Sequence, residues 1–337
     1  MQEARFWEKA EQDRVRCQLC RFRCLIDDGK RGICGVRENR AGTLFTLVYE
    51  RAVAAHTDPI EKKPLFHVLP GTQSFSIATV GCNFHCQNCQ NYQISQWQGP
   101  ANQVPGERLS PADVVRAAKA DGCRSIAYTY TEPTIFFEYA RDTAELASAA
   151  GLRNIFVTNG YITDAALEDI APVLDAANVD LKGFSKAFYR DVIGASLNEV
   201  LDCLRSYKRL GIWLELTTLV IPGHNDDPAQ LRDIANFIRD ELSPDTPWHV
   251  SGFYPTYKLT SAPPTPAETL RLARDIGKEE GLTFVYTGNL PGDPGETTFC
   301  PSCHKVVIAR SGYRLGKMAL DHGRCLFCGQ CLAGVWD

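Results

Sequence analysis

The stretch "TVGCNFHCQNCQN" (residues 79–91) decides the reading of this chain. Its cysteines, Cys82, Cys86 and Cys89, have the spacing C-x3-C-x2-C and directly follow a β-rich run at 75–80. In α/β barrels the loops at the C-terminal ends of the strands carry the chemistry. A cubane [4Fe–4S] cluster normally takes four cysteine thiolates. Three on one loop hold three irons and leave the fourth free for a small chelating ligand. Zinc is the competing reading, with His85 as its nearby fourth donor, awkwardly placed between two ligands. The bland reading is a set of unligated core thiols.

Outward from this loop the chain alternates. Strand-like runs lie at 75–80, 125–130, 154–158, 177–181, 213–221, 250–253 and 283–286. Amphipathic segments lie between them near 111–121, 134–150, 164–175, 197–210, 228–241 and 266–280. The runs Thr265-Pro266-Ala267-Glu268 and Asp227-Pro228-Ala229-Gln230 each offer an N-cap followed by Pro at the first helical position. Six or seven βα units imply parallel strands with helical crossovers, as a full barrel, a partial barrel or a doubly wound sheet. The segment "DPIEKKPLFHVLPG" (58–71) has three prolines and reads as an ordered connection. Its Lys62, Lys63 and His67 are either a solvated face or substrate-facing groups. "GNLPGDPGETT" (288–298) is a Gly/Pro-rich linker. The expected division is 1–74, a Cys-rich segment and connection; 75–288, the barrel; and 289–337, the linker and a small C-terminal module.

Composition narrows the function. The chain has 337 residues, 44% hydrophobic and 23% charged, with a net charge of -4. One barrel of roughly 200–250 residues with small appendages fits that length. Without a basic excess, nucleic acid is not expected as a partner. No apolar run approaches the ~20 residues of a membrane span. The start, "MQEARFWEKAEQDRVR", lacks the apolar core of a signal peptide, so the cytoplasm is expected. Of 14 cysteines, 12 fall into three tight groups. In a reducing compartment such groups are metal ligands rather than disulfides.

The C-terminal group is Cys300-x2-Cys303 followed, after 21 intervening residues, by Cys325-x2-Cys328. Two such knuckles read as a zinc ribbon, in which the metal replaces the core so small a unit lacks. Rubredoxin-like iron is the alternative, and Cys331 is a spare thiol or a replacement ligand. The N-terminal group, Cys17-x2-Cys20-x3-Cys24-x9-Cys34, lies within 18 residues and shares one site, for zinc or a second [4Fe–4S] cluster. Cys123 and Cys203 read as buried small hydrophobes.

The triplet after the first strand of a βα series resembles the radical S-adenosylmethionine (SAM) family. That resemblance implies a partial (β/α)6 barrel, a [4Fe–4S] cluster and SAM bound to its open iron by the amino and carboxylate groups. It also implies one-electron cleavage of SAM to a 5′-deoxyadenosyl radical that abstracts hydrogen from a substrate. Where the family often has an aromatic before the third cysteine, this chain has Asn88. "YTYTEPT" (128–134) stands where the family places a Gly-Gly-Glu-Pro-like segment, so Glu132 is implied to accept a hydrogen bond from the SAM ammonium. The plainer role for Glu132 is a carboxylate in a first helical turn. "VTNG" (157–160) and "DLK" (180–182) resemble segments of glycyl-radical-enzyme activases, which implies that Asn159, Asp180 and Lys182 serve cofactor binding. Lys182 would help hold the SAM carboxylate; its bland reading is a solvated strand-end lysine. "LTTLVIPGHNDD" (216–227) resembles the fifth strand and loop of the same activases. His249, on the sixth strand, is either a pocket residue or a satisfied core histidine.

Over essentially the full length, segment 58–71, the central cysteine stretch and "CPSCHKVVIARSGYRL" (300–315) with its tail look like the AmmeMemoRadiSam-system radical SAM proteins. These are related to pyruvate formate-lyase activating enzymes. The resemblance implies a flavodoxin or ferredoxin as electron donor and names no substrate, which is a small molecule or a protein. The functional expectation is a radical SAM enzyme. Activation of a glycyl-radical protein partner and a non-catalytic multi-metal scaffold are the alternatives.

Overall fold

The computed structural model describes residues 2–337. The seven expected strands all form. In chain order the barrel elements are β1 (Gln73–Ala78), α1 (Pro111–Ala120), β2 (Ser125–Tyr128), α2 (Phe137–Ala149), β3 (Arg153–Thr158), α3 (Asp164–Ile170), β4 (Ala176–Asp180) and α4 (Leu197–Arg209). They continue with β5 (Trp213–Val220), α5 (Pro228–Phe237), β6 (Trp248–Gly252), α6 (Ala267–Glu279) and β7 (Val285–Gly288). The sheet has eight strands, β1 to β7 in chain order plus an edge strand, Ala54–Pro59, beside β1. The register is parallel between β1 and β2, β2 and β3, β5 and β6, and β6 and β7. This is an α/β partial barrel sheet. Its inner strands are buried along nearly their whole length, as parallel strands covered on both faces must be; the edge strand is mostly exposed. Among the described residues no helix is long and apolar enough to cross a membrane.

Local chemistry explains most element ends. Ser110 and Asp113 close a reciprocal capping box on α1. Asp227 caps α5 by accepting from Ala229 N, as the sequence implies. Thr265 does not cap α6. Its hydroxyl accepts from Phe253 N at 2.8 Å and donates to Val220 O at 2.6 Å, satisfying backbone groups beyond two strands instead. The helix expected at 164–175 stops at Ile170, because Pro172 cannot continue the hydrogen-bond ladder.

Two compact units divide the chain. The first holds the chain through Asp58, Gln73–Ala177 and Asn198–Ile212. Its N-terminal part is two small antiparallel sheets, one carrying Cys17 on Val15–Cys17 between Trp7–Lys9 and Leu25–Ile26. The other pairs Arg37–Arg40 with Thr43–Thr46. Arg37 from this sheet meets Glu138 of α2 in a buried ion pair, Nη1 donating to both carboxylate oxygens at 2.9 and 3.0 Å.

The second unit holds Pro59–Thr72, Asn178–Leu197 and Trp213–Asp337. Lys63 and His67 are buried and so are not a solvated face, while Lys62 is exposed. Glu215 on β5 is wholly buried and takes four donors. Oε1 accepts from His67 N at 2.8 Å and Trp213 Nε1 at 3.2 Å; Oε2 accepts from Phe66 N at 2.9 Å and His249 Nε2 at 2.7 Å. Burial alone raises a carboxyl pKa, but these donors and the two imidazoles hold Glu215 below its usual value. A directed chain of hydrogen bonds ties segment 66–67 to the C-terminus. The Ala333 carbonyl can only accept, so His67 Nδ1 donates to it at 2.7 Å. His67 Nε2 then accepts from Tyr286 OH at 2.7 Å, which accepts from Thr298 Oγ1 at 2.9 Å. Arg310 Nη1 donates to Thr298 Oγ1 at 2.6 Å and closes the chain. Val335 N and Leu69 N extend the tie through His67 O and Val335 O at 2.7 and 2.8 Å.

Candidate functional site

The cysteine loop leaves β1 at Ala78 and is closed by backbone bonds from Gly81 N to Ile94 O and from Ser95 N to Asn91 O, both 2.9 Å. Phe84 N donates to Cys82 Sγ at 3.4 Å, and Cys89 Sγ lies 3.2 Å from Ser95 Oγ. Burial pushes the Cys82 thiol well above its ordinary pKa, reinforced by Glu132, Cys86 and Cys89. Thiols in such a place ionise only when a cation takes up the charge. Among the described residues only the C-terminal four cysteines bring three or more ligand atoms within 4.8 Å of one another. The central three sulfurs are therefore spread too widely for a single ion. A cubane takes each thiolate on a separate iron, so its ligands need not close on one point. His85 Nδ1 donates to Gln96 Oε1 at 2.7 Å and is not free to be a fourth ligand through that nitrogen.

Glu132 stands beyond β2, almost fully buried, as the cap of the short turn Pro133–Phe136. Oε1 accepts from Thr134 N at 3.0 Å, Thr134 Oγ1 at 2.5 Å and Thr158 Oγ1 at 2.7 Å. Oε2 accepts from Asn159 N alone, at 2.8 Å, which leaves it acceptor capacity. Burial raises the Glu132 pKa against the pull of those donors. Glu132 is thus not a first-turn carboxylate but the residue that caps the turn, and the cap uses one oxygen. Asn159 reaches back to the cysteine loop, its Nδ2 donating to Asn83 Oδ1 at 2.7 Å and lying 3.9 Å from Cys82 Sγ. Tyr130 adopts a left-handed backbone, φ 64°, at the first position of the segment resembling Gly-Gly-Glu-Pro. Such strain in a bulky residue persists only where the surroundings fix it. Asn91 Nδ2 to Tyr130 O at 2.8 Å and Thr131 Oγ1 to Thr79 O at 2.9 Å supply that fixation from the cysteine loop.

Three buried amide atoms at this place have no partner: Asn83 Nδ2, Asn88 Oδ1 and Asn159 Oδ1. Uncompensated buried donors and acceptors are costly, and here they surround the sulfurs. A bound group carrying both donors and acceptors, as an amino acid does, fits them. Of these groups the sequence pointed to Asn159. Asn83 lies inside the motif but reads as a spacer, Asn88 stands out only as the residue in place of the family's aromatic, and the hydroxyls of Thr134 and Thr158 gave no signal beyond their place beside it.

In the second unit, Lys182 Nζ pairs with Asp180 Oδ2 at 2.9 Å just beyond β4. Asn225, fully buried, fixes the backbone there: its Nδ2 donates to Lys182 O at 2.7 Å and to Leu219 O at 2.9 Å. His249 lies near the start of β6, with Nε2 held by Glu215 and its ring packed against Phe66 and Tyr286. These are the contacts of a satisfied core histidine. Cys300, Cys303, Cys325 and Cys328 converge, with Cys300–Cys328 and Cys303–Cys325 sulfurs 3.6 and 3.7 Å apart. A zinc tetrahedron with 2.3 Å bonds requires about 3.8 Å between sulfurs. Cys331 is exposed and outside that set.

Residues 76–238 match the family described as the radical SAM superfamily. An uncharacterized protein of Methanocaldococcus jannaschii is 45% identical over 332 residues, 98% of each chain. The pyruvate formate-lyase 1-activating enzyme of Escherichia coli is 21% identical over 220 residues, 61% of this chain and 89% of that enzyme. A radical SAM methyltransferase from Sphaerobacter thermophilus superposes with a TM-score of 0.50 at 14% identity, covering 65% of this chain and 66% of that one. The chain belongs to the radical SAM superfamily. Membership implies a [4Fe–4S] cluster and SAM, and brings homology to an activating enzyme.

Proposed function

We propose that this protein is a SAM-cleaving enzyme of the AmmeMemoRadiSam type, with Cys82, Cys86 and Cys89 as the cluster ligands. One observation carries the reading: a loop of three widely spaced thiols beyond β1 is surrounded by the orphaned amides of Asn83, Asn88 and Asn159 and by the buried carboxylate of Glu132. When bound, the cluster and SAM supply the one-electron cleavage that yields methionine and a 5′-deoxyadenosyl radical. The protein's own part is to bind and orient. Glu132 Oε2, with one lone pair taken, accepts from the SAM ammonium in a charge-assisted bond. Asn159 Oδ1 is a second acceptor and Asn83 Nδ2 a donor. Lys182, beyond β4, is assigned to the SAM carboxylate on its resemblance to the activases' DLK segment.

The C-terminal cysteines are assigned a structural zinc, supported by sulfur spacings that match its tetrahedron. Gln330 N–H donates to Cys328 and lowers its pKa to about 7, toward the thiolate a metal needs. The activating-enzyme relatives favour a protein substrate, and a flavodoxin or ferredoxin is the expected donor. The test is direct. Anaerobically reconstituted protein, reduced with dithionite, should release 5′-deoxyadenosine and methionine from SAM. Its absence at full iron and sulfide content would favour the multi-metal scaffold.

A further inference from the structure

The N-terminal cysteines differ from the C-terminal ones in a way that identifies their metal. Cys17, Cys20 and Cys34 are buried and Cys24 half-buried. Cys17 N donates to Cys24 O at 2.9 Å, which draws the two arms of the segment together. Backbone N–H groups of Phe22, Ile33 and Val36 point at the sulfurs of Cys20, Cys24 and Cys34. A Cβ at Gly32, two residues before Cys34, would lie 3.7 Å from Cys24 Sγ, so the arm that carries Cys34 passes beside that thiol. They form one constellation.

Yet no three of these sulfurs lie within 4.8 Å of one another, whereas the C-terminal four do. The same chain thus holds two four-cysteine sites of different span. The narrow one has zinc spacing. The wide one, like the Cys82 triplet, spreads its sulfurs beyond the reach of a single ion. A cubane suits such a spread, with one thiolate to each of its four irons. A buried guanidinium faces it. Arg37 is 2% exposed and engages Glu138 and Arg5 O through Nη1 and Nη2, while its Nε has no partner. Its charge is felt at Cys17 and Cys34. That bare N–H is an unused donor on a cation whose field reaches these thiols, and the cation offsets the negative charge of a thiolate-bound cluster.

The wide site also abuts the Cys82 loop. Gly81 precedes Cys82 with φ 96°, and a Cβ there would come within 2.8 Å of Cys34 O and 2.7 Å of Val36 Cγ1. Only glycine allows that approach. Phe22, between Cys20 and Cys24, packs on Tyr161 at 4.8 Å and on Phe84 at 6.4 Å between ring centroids. Phe84 lies between Cys82 and Cys86 and itself packs on Tyr161 at 5.0 Å. The ligand loops of the two sites are in van der Waals contact.

We propose that Cys17, Cys20, Cys24 and Cys34 hold a second [4Fe–4S] cluster, closed by four cysteines and seated directly against the Cys82 loop. With no open iron it binds no substrate; it carries one electron. It accepts that electron from a low-potential one-electron donor, dithionite in the test, and gives one electron to the cluster at Cys82. No bond forms or breaks and no proton moves. The ligation rests on the N-terminal residues alone; the electron's destination rests on the function proposed above.

The test uses the full chain, purified and reconstituted anaerobically, with zinc measured before reconstitution. A Cys82→Ala/Cys86→Ala/Cys89→Ala variant leaves the N-terminal segment intact. It should keep about four irons and four sulfides beside about one zinc, and give a cluster EPR signal on reduction. No iron, about two zincs and no signal would overturn the proposal. Cys17→Ser/Cys20→Ser should drop the wild-type iron from about eight to about four, leaving zinc unchanged. If that variant does not fold, the triple variant decides. The two readings fail differently. Equal iron in wild type and triple variant, at about four, refutes the Cys82 ligation and upholds the N-terminal cluster. In wild type the two reduced clusters should show spin–spin coupling, absent from both variants; two uncoupled signals would refute the contact between sites.

Discussion

His67 should make the C-terminal tie of the second unit sensitive to mild acid, and His67→Gln should remove that sensitivity. Burial, opposed by Glu215 and Ala333 and assisted by Arg310 and His249, lowers the His67 pKa from 6.5 to about 4. The ring is neutral when folded, and the fixed direction of the chain explains why. Protonation would turn Nε2 into a donor facing Tyr286 OH, which already donates to it. The folded pKa is depressed, so the stability is fully present above pH 6.5 and is lost as pH falls toward 4. Linkage over that interval gives about 3 kcal/mol in total and about 2 kcal/mol by pH 5. Glu215, held below its usual pKa, contributes only at lower pH; burial raises Glu61 and Glu296 in the same unit, so the comparison with His67→Gln, which retains both, is what isolates the imidazole. Amide hydrogen exchange at Leu69 and Val335, corrected for intrinsic rates, reads any opening that wets the ring. Between pH 7 and pH 5 their protection should fall about 30-fold in wild type and little in His67→Gln, whose amide can still donate to Ala333 and accept from Tyr286. An equal fall in both proteins would show that the imidazole is not the titrating group.

Three further outcomes are expected. Glu132→Gln replaces an acceptor oxygen with a donor among Thr134, Thr158 and Asn159 and should weaken SAM binding about 10–150-fold, read by equilibrium binding, with cluster iron unchanged. Iron loss instead would mean that Glu132 only shapes the loop. Glu138→Ala strands the buried Arg37 charge and should cost about 3–5 kcal/mol by denaturant titration, partly restored by Arg37→Met in the same chain. A cost below that of an ordinary surface change would refute the pairing. Cys325→Ser should release about one zinc and increase exchange in 298–332, because metal binding and folding are coupled in so small a module. Unchanged exchange after zinc loss would refute that coupling.

Much of this was legible from the sequence because it is local in the chain. The seven strands announce themselves as apolar runs, the Asp227 cap as a four-residue pattern, and the three cysteine groups as spacings. The missing pieces depend on partners far along the chain. The edge strand Ala54–Pro59 has no apolar run to betray it, since most of it stays exposed and only its place beside β1 makes it a strand. Thr265 has every local mark of a cap, yet two backbone groups from other strands claim its hydroxyl. Lys63 and His67 read as solvated or substrate-facing because charge predicts water, until tertiary contacts bury them. Spacing along the chain fixed which cysteines belong together. It could not fix how far apart their sulfurs stand, and that distance separates zinc from a cluster. Sequence sets which donors a segment can offer; the fold sets the volume between them, and volume, charge and unmet hydrogen bonds choose what binds.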